Sequence, residues 1–98
     1  MEVHGFDWDD GNREKCQDHG LSLDQIQSVI RNDLKVMINT NHLTREERYH
    51  AVGKTEEGRF VFVVFTFRTG QIGKLIRPIS ARFMHQKEID QYESQTKA

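Results

Sequence analysis

Apolar residues recur every three or four positions in one early segment, which predicts a helix with one apolar side: Leu23, Ile26, Val29 and Ile30. Ser22 stands just before this segment and Gln25 follows three positions later, which is the spacing of a capping box at a helix start. An earlier segment, residues 11–19, is almost wholly polar and is followed by a glycine. We predict a second, polar helix there, with Asp9 or Asp10 as its N-cap.

Other apolar runs are short and have the composition of β-strands: residues 3–8, 35–38, 48–54, 59–68 and 74–80. In the first run, Phe6 and Trp8 are two positions apart and so share one face. The run 59–68 is apolar at nearly every position, which predicts a strand at the centre of the sheet with both faces covered. Pro78 cannot donate to a strand ladder, so its strand lies at an edge or carries a bulge there.

The remaining segments are predicted to be connections and a final helix. Residues 55–58 have the length and the glycine of a hairpin loop, and residues 69–73 form a looser one. Residues 39–47 are polar and rich in turn formers, which predicts a loop. Residues 84–94 form a helix with three residues on one stripe: His85, Ile89 and Tyr92.

The order of these elements is β-α-α-β-β-β-β-α, and residues 1–98 form a single domain. Strands that follow one another through short loops pair antiparallel. We therefore predict an α+β fold, in which an antiparallel sheet has two N-terminal helices packed on it and one C-terminal helix. A chain of this length buries only a thin core.

Charge is unevenly distributed along the chain, although the net charge is −1. Residues 1–58 hold seven Lys and Arg against twelve Asp and Glu, whereas residues 59–98 hold seven against three. Between Arg59 and Arg82 there are five basic residues and no acidic one. A patch of this kind can bind an anion, and it can equally be the solvated edge of a sheet.

Two features bear on where the protein works. Cys16 is the single cysteine, so no internal disulfide can form, which fits a reducing compartment. There is no run of about 18 apolar residues that could cross a membrane. The acidic first ten residues lack the apolar stretch of a secretory signal. We expect a cytoplasmic protein without membrane contact.

No motif with the spacing of a nucleotide, dinucleotide or zinc site is present. The five histidines share no metal-ligand spacing, so we expect neither a metal nor another cofactor. What remains is a set of arginines and histidines without an evident structural task. Metal-free RNA cleavage needs such a set: a base for the 2′-hydroxyl proton, cations for the pentavalent phosphorane and an acid for the leaving 5′-oxygen.

The individual candidates also allow structural interpretations. Arg68, at the end of the central strand, and Arg82, just before the last helix, are cations on rigid elements and suit an anion. Arg48 stands beside two glutamates, a pattern that is more typical of a surface ion pair. His19 suits the C-terminal end of a helix as well as proton transfer, and His85 suits a packed position.

Four short motifs occur in order along the chain: Trp8-Asp9, His19-Gly20, Thr66-Phe67-Arg68 and Ile79-Ser80-Ala81-Arg82. In this order and spacing they resemble the signature of the BrnT toxins, and the resemblance extends from Phe6 to Glu93. It implies a fold similar to that of RelE-type ribonuclease toxins, with helices on an antiparallel sheet. It also implies a metal-independent endoribonuclease that halts growth by degrading RNA, as the toxin of a type II toxin–antitoxin system.

The resemblance further implies partners and site residues. The antitoxin would be of the BrnA type, a ribbon-helix-helix protein that covers the toxin and contacts operator DNA on behalf of the complex. The residues carried over as catalytic candidates are His19, Arg48, Arg68, Arg82 and His85. Glu47 is an alternative base, and Arg77 and Lys74 are candidates for RNA binding.

A second hypothesis is non-catalytic. In it, the chain is a protein-interaction module that docks on a partner through its basic strand region and turns over no RNA. A regulator that binds DNA by itself is disfavoured, because no helix combines a basic face with the spacing of a helix-turn-helix motif.

Overall fold

The computed structural model describes residues 3–32, 35–38 and 48–96. In chain order, the elements of this part are α1 (Asp10–Gln17), α2 (Leu23–Asn32), β1 (Lys35–Ile38), β2 (Tyr49–Lys54), β3 (Phe60–Thr69), β4 (Lys74–Phe83) and α3 (Gln86–Thr96). The strands form one sheet in the order β1-β2-β3-β4, and each neighbouring pair is antiparallel. The predicted α+β class is confirmed.

Reciprocal side-chain bonds explain where the two N-terminal helices begin. The Asp9 carboxylate accepts from the N–H of Asn12 at 3.0 Å, and the Asn12 amide oxygen accepts from the N–H of Asp9 at 2.7 Å. Ser22 and Gln25 form the same kind of pair before α2, at 3.1 and 2.9 Å. Both predicted caps are confirmed, although α1 begins one residue earlier and ends two residues earlier than predicted.

The helices α1 and α2 cover one face of the sheet. One buried cluster takes residues from both helices and from three strands: Cys16, Ile26, Val29, Ala51, Val61, Val63, Phe65 and Ala81. Burying a large apolar side chain of this kind contributes about 1.5–3 kcal/mol. Val61, Val63 and Phe65 are buried at every second position of β3, so this side of the strand faces the helices.

A buried asparagine attaches α1, which has few apolar residues, to the sheet. The Asn12 side-chain NH₂ donates to the carbonyl oxygens of Asp7 at 3.0 Å and of Pro78 at 2.8 Å. Cys16 is the other buried residue of α1, and burial raises the pKa of its thiol to about 11. Hydrogen bonds therefore connect this polar helix to β4.

The strand β3 lies between β2 and β4, as predicted, but α1 and α2 close only one of its faces. Its residues Val61, Val63 and Phe65 are buried against the helices. On the opposite face, Phe62 and Val64 are only half-buried. The predicted cover on both sides is therefore complete only on the helix side, because on the opposite face Thr66 is buried but the apolar Phe62 and Val64 keep part of their surface exposed.

The strand β4 carries a bulge beside Pro78, as the proline predicted. Phe65 pairs with Pro78, whereas the preceding Val64 pairs with Ser80, so Ile79 is one extra residue on β4. The strand continues to Phe83, three residues beyond its predicted end.

The N-terminal segment forms a parallel bridge to β4 where a short strand was predicted. Phe6 pairs with Ile76, and the N–H of Ile76 donates to the carbonyl of Gly5 at 3.0 Å. The N–H of Asp7 donates to the carbonyl of Ile76 at 2.8 Å. Phe6 and Trp8 both pack against the core, so they share a face as predicted.

The remaining connections agree with the predictions in position. Gly58 closes the β2–β3 hairpin with φ +86°, a left-handed conformation that glycine adopts without a steric penalty. The helix α3 begins and ends two residues later than predicted. The loop predicted at residues 39–47 lies outside the described residues.

Candidate functional site

The sheet face opposite to α1 and α2 carries most of the candidate residues. We call it the outer face and define it by these side chains: His50, Val52, Phe62, Val64, Thr66, Arg68, Arg77, Ser80 and Arg82. Strand pairing aligns them in rows, which are Val52-Phe62-Arg82, His50-Val64-Ser80 and Thr66-Arg77. Side chains that pair directly in a row are about 5 Å apart.

Two side chains, those of Glu88 and Phe62, hold Arg82 on this face, and its Nη1 also donates to the carbonyl of Phe83 at 3.5 Å. Its Nη1 and Nη2 atoms each donate to one carboxylate oxygen of Glu88, both at 2.7 Å. Its guanidinium carbon lies 5.0 Å from the centre of the Phe62 ring, within the range of a cation–π contact. The guanidinium therefore has a defined orientation, although about a third of the Arg82 side chain is exposed (35%).

The ion pair of Arg82 and Glu88 keeps both groups charged. The bond from Arg82, and after it the bond from the N–H of His85, lowers the pKa of Glu88 to about 2. The bond to Glu88 raises the pKa of Arg82 above its usual value. At neutral pH the pair has no net charge, while the guanidinium keeps the donors that Glu88 does not use.

His85 stands beside this pair. It is the residue before α3, its side chain is exposed, and its N–H donates to the Glu88 carboxylate at 3.0 Å. Glu88 therefore acts as the acidic half of a capping box. The alternative in which His85 is packed inside the protein is wrong.

His50 is a histidine of the outer face that is not among the candidates predicted from the sequence. Its ring lies 5.3 Å from the ring of Phe62, with the two planes at 66°. His50 and Arg82 therefore contact the same aromatic side chain. Its position in a predicted strand, two residues before Val52, indicated that His50 and Val52 share a face. Which face of that strand lies against the helices is decided only in the assembled sheet.

Arg77 also lies on the outer face, where it binds two carboxylates of the N-terminal segment. Its Nη2 is 2.7 Å from Asp9 and its Nη1 is 3.4 Å from Asp7. The bond to Asp9 raises the pKa of Arg77. The pKa of Asp9 is lowered by the N–H of Asn12 and then by Arg77. These bonds connect the segment before α1 to β4, and RNA binding by Arg77 stays a prediction.

Arg68 and Arg82 lie at opposite ends of the sheet. Arg68 pairs with Leu75 near the β3–β4 turn, whereas Arg82 pairs with Phe62 near the other end of β3. The two rows are six residues apart, which is about 20 Å along the strand. The sequence placed both arginines at strand ends, but the antiparallel pairing separates those ends.

Arg48 directly precedes β2, at the same end of the sheet as Arg68. Its Nε atom is buried and has no hydrogen-bond partner within the part of the chain that the structure describes. A buried donor without an acceptor costs about 1–3 kcal/mol. A role of Arg48 in catalysis stays a prediction.

Two further candidates lie away from the outer face. His19 is exposed in the connection between α1 and α2, on the opposite side of the sheet. The Nζ of Lys74 lies 4.5 Å from the ring centre of Phe67, whose side chain packs against the core. The structure therefore does not bring His19 or Lys74 together with Arg82. Glu47, the alternative base, lies outside the described residues.

Within residues 3–32, 35–38 and 48–96, no group of three or more His, Cys, Asp or Glu side chains is arranged to hold a metal ion. No helix in these ranges has both the length and the apolar composition to span a bilayer. The polar groups of the outer face are guanidinium, imidazole and hydroxyl groups.

These features define a class: a small α+β protein whose sheet has one face covered by helices and one that presents arginines and histidines, groups suited to a phosphate-bearing ligand. A search of curated proteins gives no match. The family model of the BrnT ribonuclease toxin of type II toxin–antitoxin systems matches residues 8–88. The chain belongs to this family, so it is a ribonuclease toxin with an antitoxin as its partner, and the resemblance found in the sequence is confirmed.

Proposed function

We propose that this ribonuclease cleaves RNA on the outer face without a metal ion, through Arg82 and the two histidines beside it. The supporting observation is that all three residues contact a partner that another of them also contacts. Arg82 and His50 both contact the Phe62 ring, and Arg82 and His85 both bind the Glu88 carboxylate, His85 through its backbone.

In the proposed reaction, the 2′-oxygen attacks the adjacent phosphorus. One histidine accepts the 2′-hydroxyl proton, and the other protonates the 5′-oxygen as its bond to phosphorus breaks. The products are a 2′,3′-cyclic phosphate and a free 5′-hydroxyl group. Arg82 binds the non-bridging oxygens, on which the negative charge is greatest in the phosphorane. Glu47 stays an alternative base, and His19 is not assigned a role.

We assign Arg48 and Arg68 to a second contact with the same RNA strand. The row of Arg68 is about 20 Å from the row of Arg82, which is too far for both side chains to bind the same phosphate. Arg48 and Arg68 would therefore hold a phosphate several nucleotides away, while Arg82 acts on the scissile one.

We propose that the antitoxin is a BrnA-type ribbon-helix-helix protein that inhibits the toxin by covering it, and that operator DNA is contacted only through it. The free toxin would degrade RNA in the cytoplasm and arrest growth. Family membership supports this assignment. The excess of acidic residues in the first 58 positions suits a basic antitoxin segment.

The test is RNA cleavage by the purified toxin in EDTA, with the wild type compared with Arg82→Ala. We expect the substitution to lower kcat/KM by about 10²–10³-fold, or ~2.7–4 kcal/mol of transition-state stabilisation. Arg13→Ala, which removes an exposed cation from α1, should leave kcat/KM unchanged. Circular dichroism checks that each variant is folded.

Each unfavourable outcome contradicts a different part of the proposal. Loss of wild-type cleavage in EDTA contradicts metal independence. An Arg82→Ala protein that cleaves RNA as fast as the wild type contradicts the site. Wild-type protein that binds its antitoxin tightly but never cleaves RNA supports the non-catalytic alternative.

A further inference from the structure

The Glu88 carboxylate determines where the Arg82 guanidinium points. Both Oε atoms accept from it at 2.7 Å, and the Phe62 ring limits its movement on another side. A bidentate pair fixes the plane of the guanidinium as well as its position, which a single hydrogen bond would not do.

Glu88 is itself anchored in the first turn of α3. Its Oε1 also accepts from the N–H of His85 at 3.0 Å, as the third helical residue does in a capping box. One carboxylate thus joins the start of α3 to Arg82 of β4. The orientation of Arg82 is therefore fixed relative to the backbone that carries His85.

The pair does not use all the donors of Arg82. A guanidinium has five N–H groups, and the Glu88 carboxylate accepts from two of them. The Nε–H group is among those that Glu88 leaves for a phosphate. The Glu88 carboxylate also disfavours phosphate binding, because its negative charge weakens the attraction between Arg82 and any phosphate.

We propose that Glu88 is a positioning residue, which holds Arg82 in the orientation that the phosphorane requires. This inference rests on the proposed role of Arg82. Orientation matters most in the transition state, whereas charge also acts on the bound substrate, so the two effects separate in the kinetics. Loss of Glu88 should lower kcat without raising KM.

The first test variant is Glu88→Gln. Glutamine keeps the side-chain length and an acceptor for the N–H of His85, so the start of α3 is retained. It loses the charged bidentate pair, and we expect kcat to fall by about ten- to a hundred-fold. The loss of one negative charge beside Arg82 should leave KM unchanged or lower it. Asp90→Asn is the matched control, because it removes the same charge from an exposed position of α3 and should change neither constant.

The second variant, Glu88→Asp, keeps the charge but shortens the side chain. If Glu88 acts by positioning, the retracted carboxylate should also lower kcat. Wild-type kcat in Glu88→Asp combined with altered kcat in Glu88→Gln would overturn the proposal in favour of a charge effect. Faster cleavage by Glu88→Gln would overturn it in favour of inhibition of Arg82 by Glu88.

Arg82→Ala separates this proposal from the proposed function. If Arg82→Ala is inactive and Glu88→Gln has wild-type kcat, only the role of Glu88 is refuted. If Arg82→Ala is fully active, the site itself is refuted and the role of Glu88 with it.

Discussion

Two arginines of β4 bind carboxylates on the outer face, with different consequences. Arg77 binds Asp7 and Asp9, from a segment about seventy residues earlier in the chain, and so joins distant parts of the fold. Arg82 binds Glu88, six residues later. Because both members of this second pair are about one-third exposed, it contributes little to stability and acts mainly on orientation.

We predict that the Glu88 carboxyl group titrates with a pKa of about 2 in the folded wild type and closer to its ordinary value of 4.5 in Arg82→Gln. Folding lowers this pKa, so the stabilisation from the pair is complete above pH 4.5 and is lost as the pH falls toward 2. NMR titration of the side-chain carboxyl carbon measures both values. Arg13→Gln should leave the Glu88 pKa unchanged, and a wild-type pKa near 4.5 would be incompatible with the bidentate bond.

Among the elements, α1 shows how a polar helix is attached to a small core. Its side chains supply little apolar area, and only Asn12 and Cys16 are buried. Asn12 compensates with hydrogen bonds to the backbone before the helix and to Pro78 of β4. Without the asparagine amide, the buried carbonyl of Pro78 and the partly buried carbonyl of Asp7 would each lose this donor.

We predict that Asn12→Ala lowers the free energy of unfolding by about 2–4 kcal/mol, because one buried carbonyl, one partly buried carbonyl and the cap N–H of Asp9 lose a partner. Urea denaturation followed by circular dichroism measures this change. The control is Gln17→Ala on the same helix, whose side chain is exposed and whose loss should cost about 0.5 kcal/mol or less. Equal losses in the two variants would exclude Asn12 as the main attachment of α1.

The bulge of β4 decides which of its residues share a face. Arg77 and Arg82 are five positions apart, so in a regular strand they would point to opposite faces. The extra residue, Ile79, shifts the alternation, and both arginines lie on the outer face opposite Thr66 and Phe62. The chemistry available on this face therefore depends on an irregularity beside Pro78.

In the molecule as a whole, the outer face carries cations near both of its ends. Arg82 lies near one end of this face, and Arg48 and Arg68 lie at the other. A net charge of −1 therefore does not prevent local attraction of RNA. The distance between Arg82 and the pair of Arg48 and Arg68 suits an RNA strand that lies along β3 better than it suits a single phosphate.

We predict that RNA binding weakens with salt and that Arg68→Gln reduces this dependence. The probe is a short 2′-O-methylated RNA, which cannot be cleaved by attack of the 2′-oxygen. Loss of one phosphate contact should make the slope of log affinity against log salt shallower by about 0.7. Arg13→Gln, a change of equal charge on α1, should leave the slope as it is. An unchanged slope in Arg68→Gln would show that Arg68 does not contact a phosphate.

Local signals in the sequence were sufficient to predict most of the helices and strands. The caps of α1 and α2, the hairpin glycine Gly58 and the irregularity at Pro78 are each specified by residues within a few positions of one another. Such features depend on short-range backbone geometry and hydrogen bonding, which a sequence displays directly. Apolar spacing likewise indicated that α2 packs on the sheet and that β3 is an interior strand.

Tertiary contacts alone determined how the candidate residues are grouped. Pairing register and the bulge bring His50 beside Phe62 and Arg82, separate Arg68 from Arg82, and leave His19 on the far side of the sheet. The carboxylate partners of the arginines likewise come from other elements. The physical reason is that a side chain's face and partners depend on register and on packing of the whole core, whereas periodicity in the sequence specifies only the alternation within each strand.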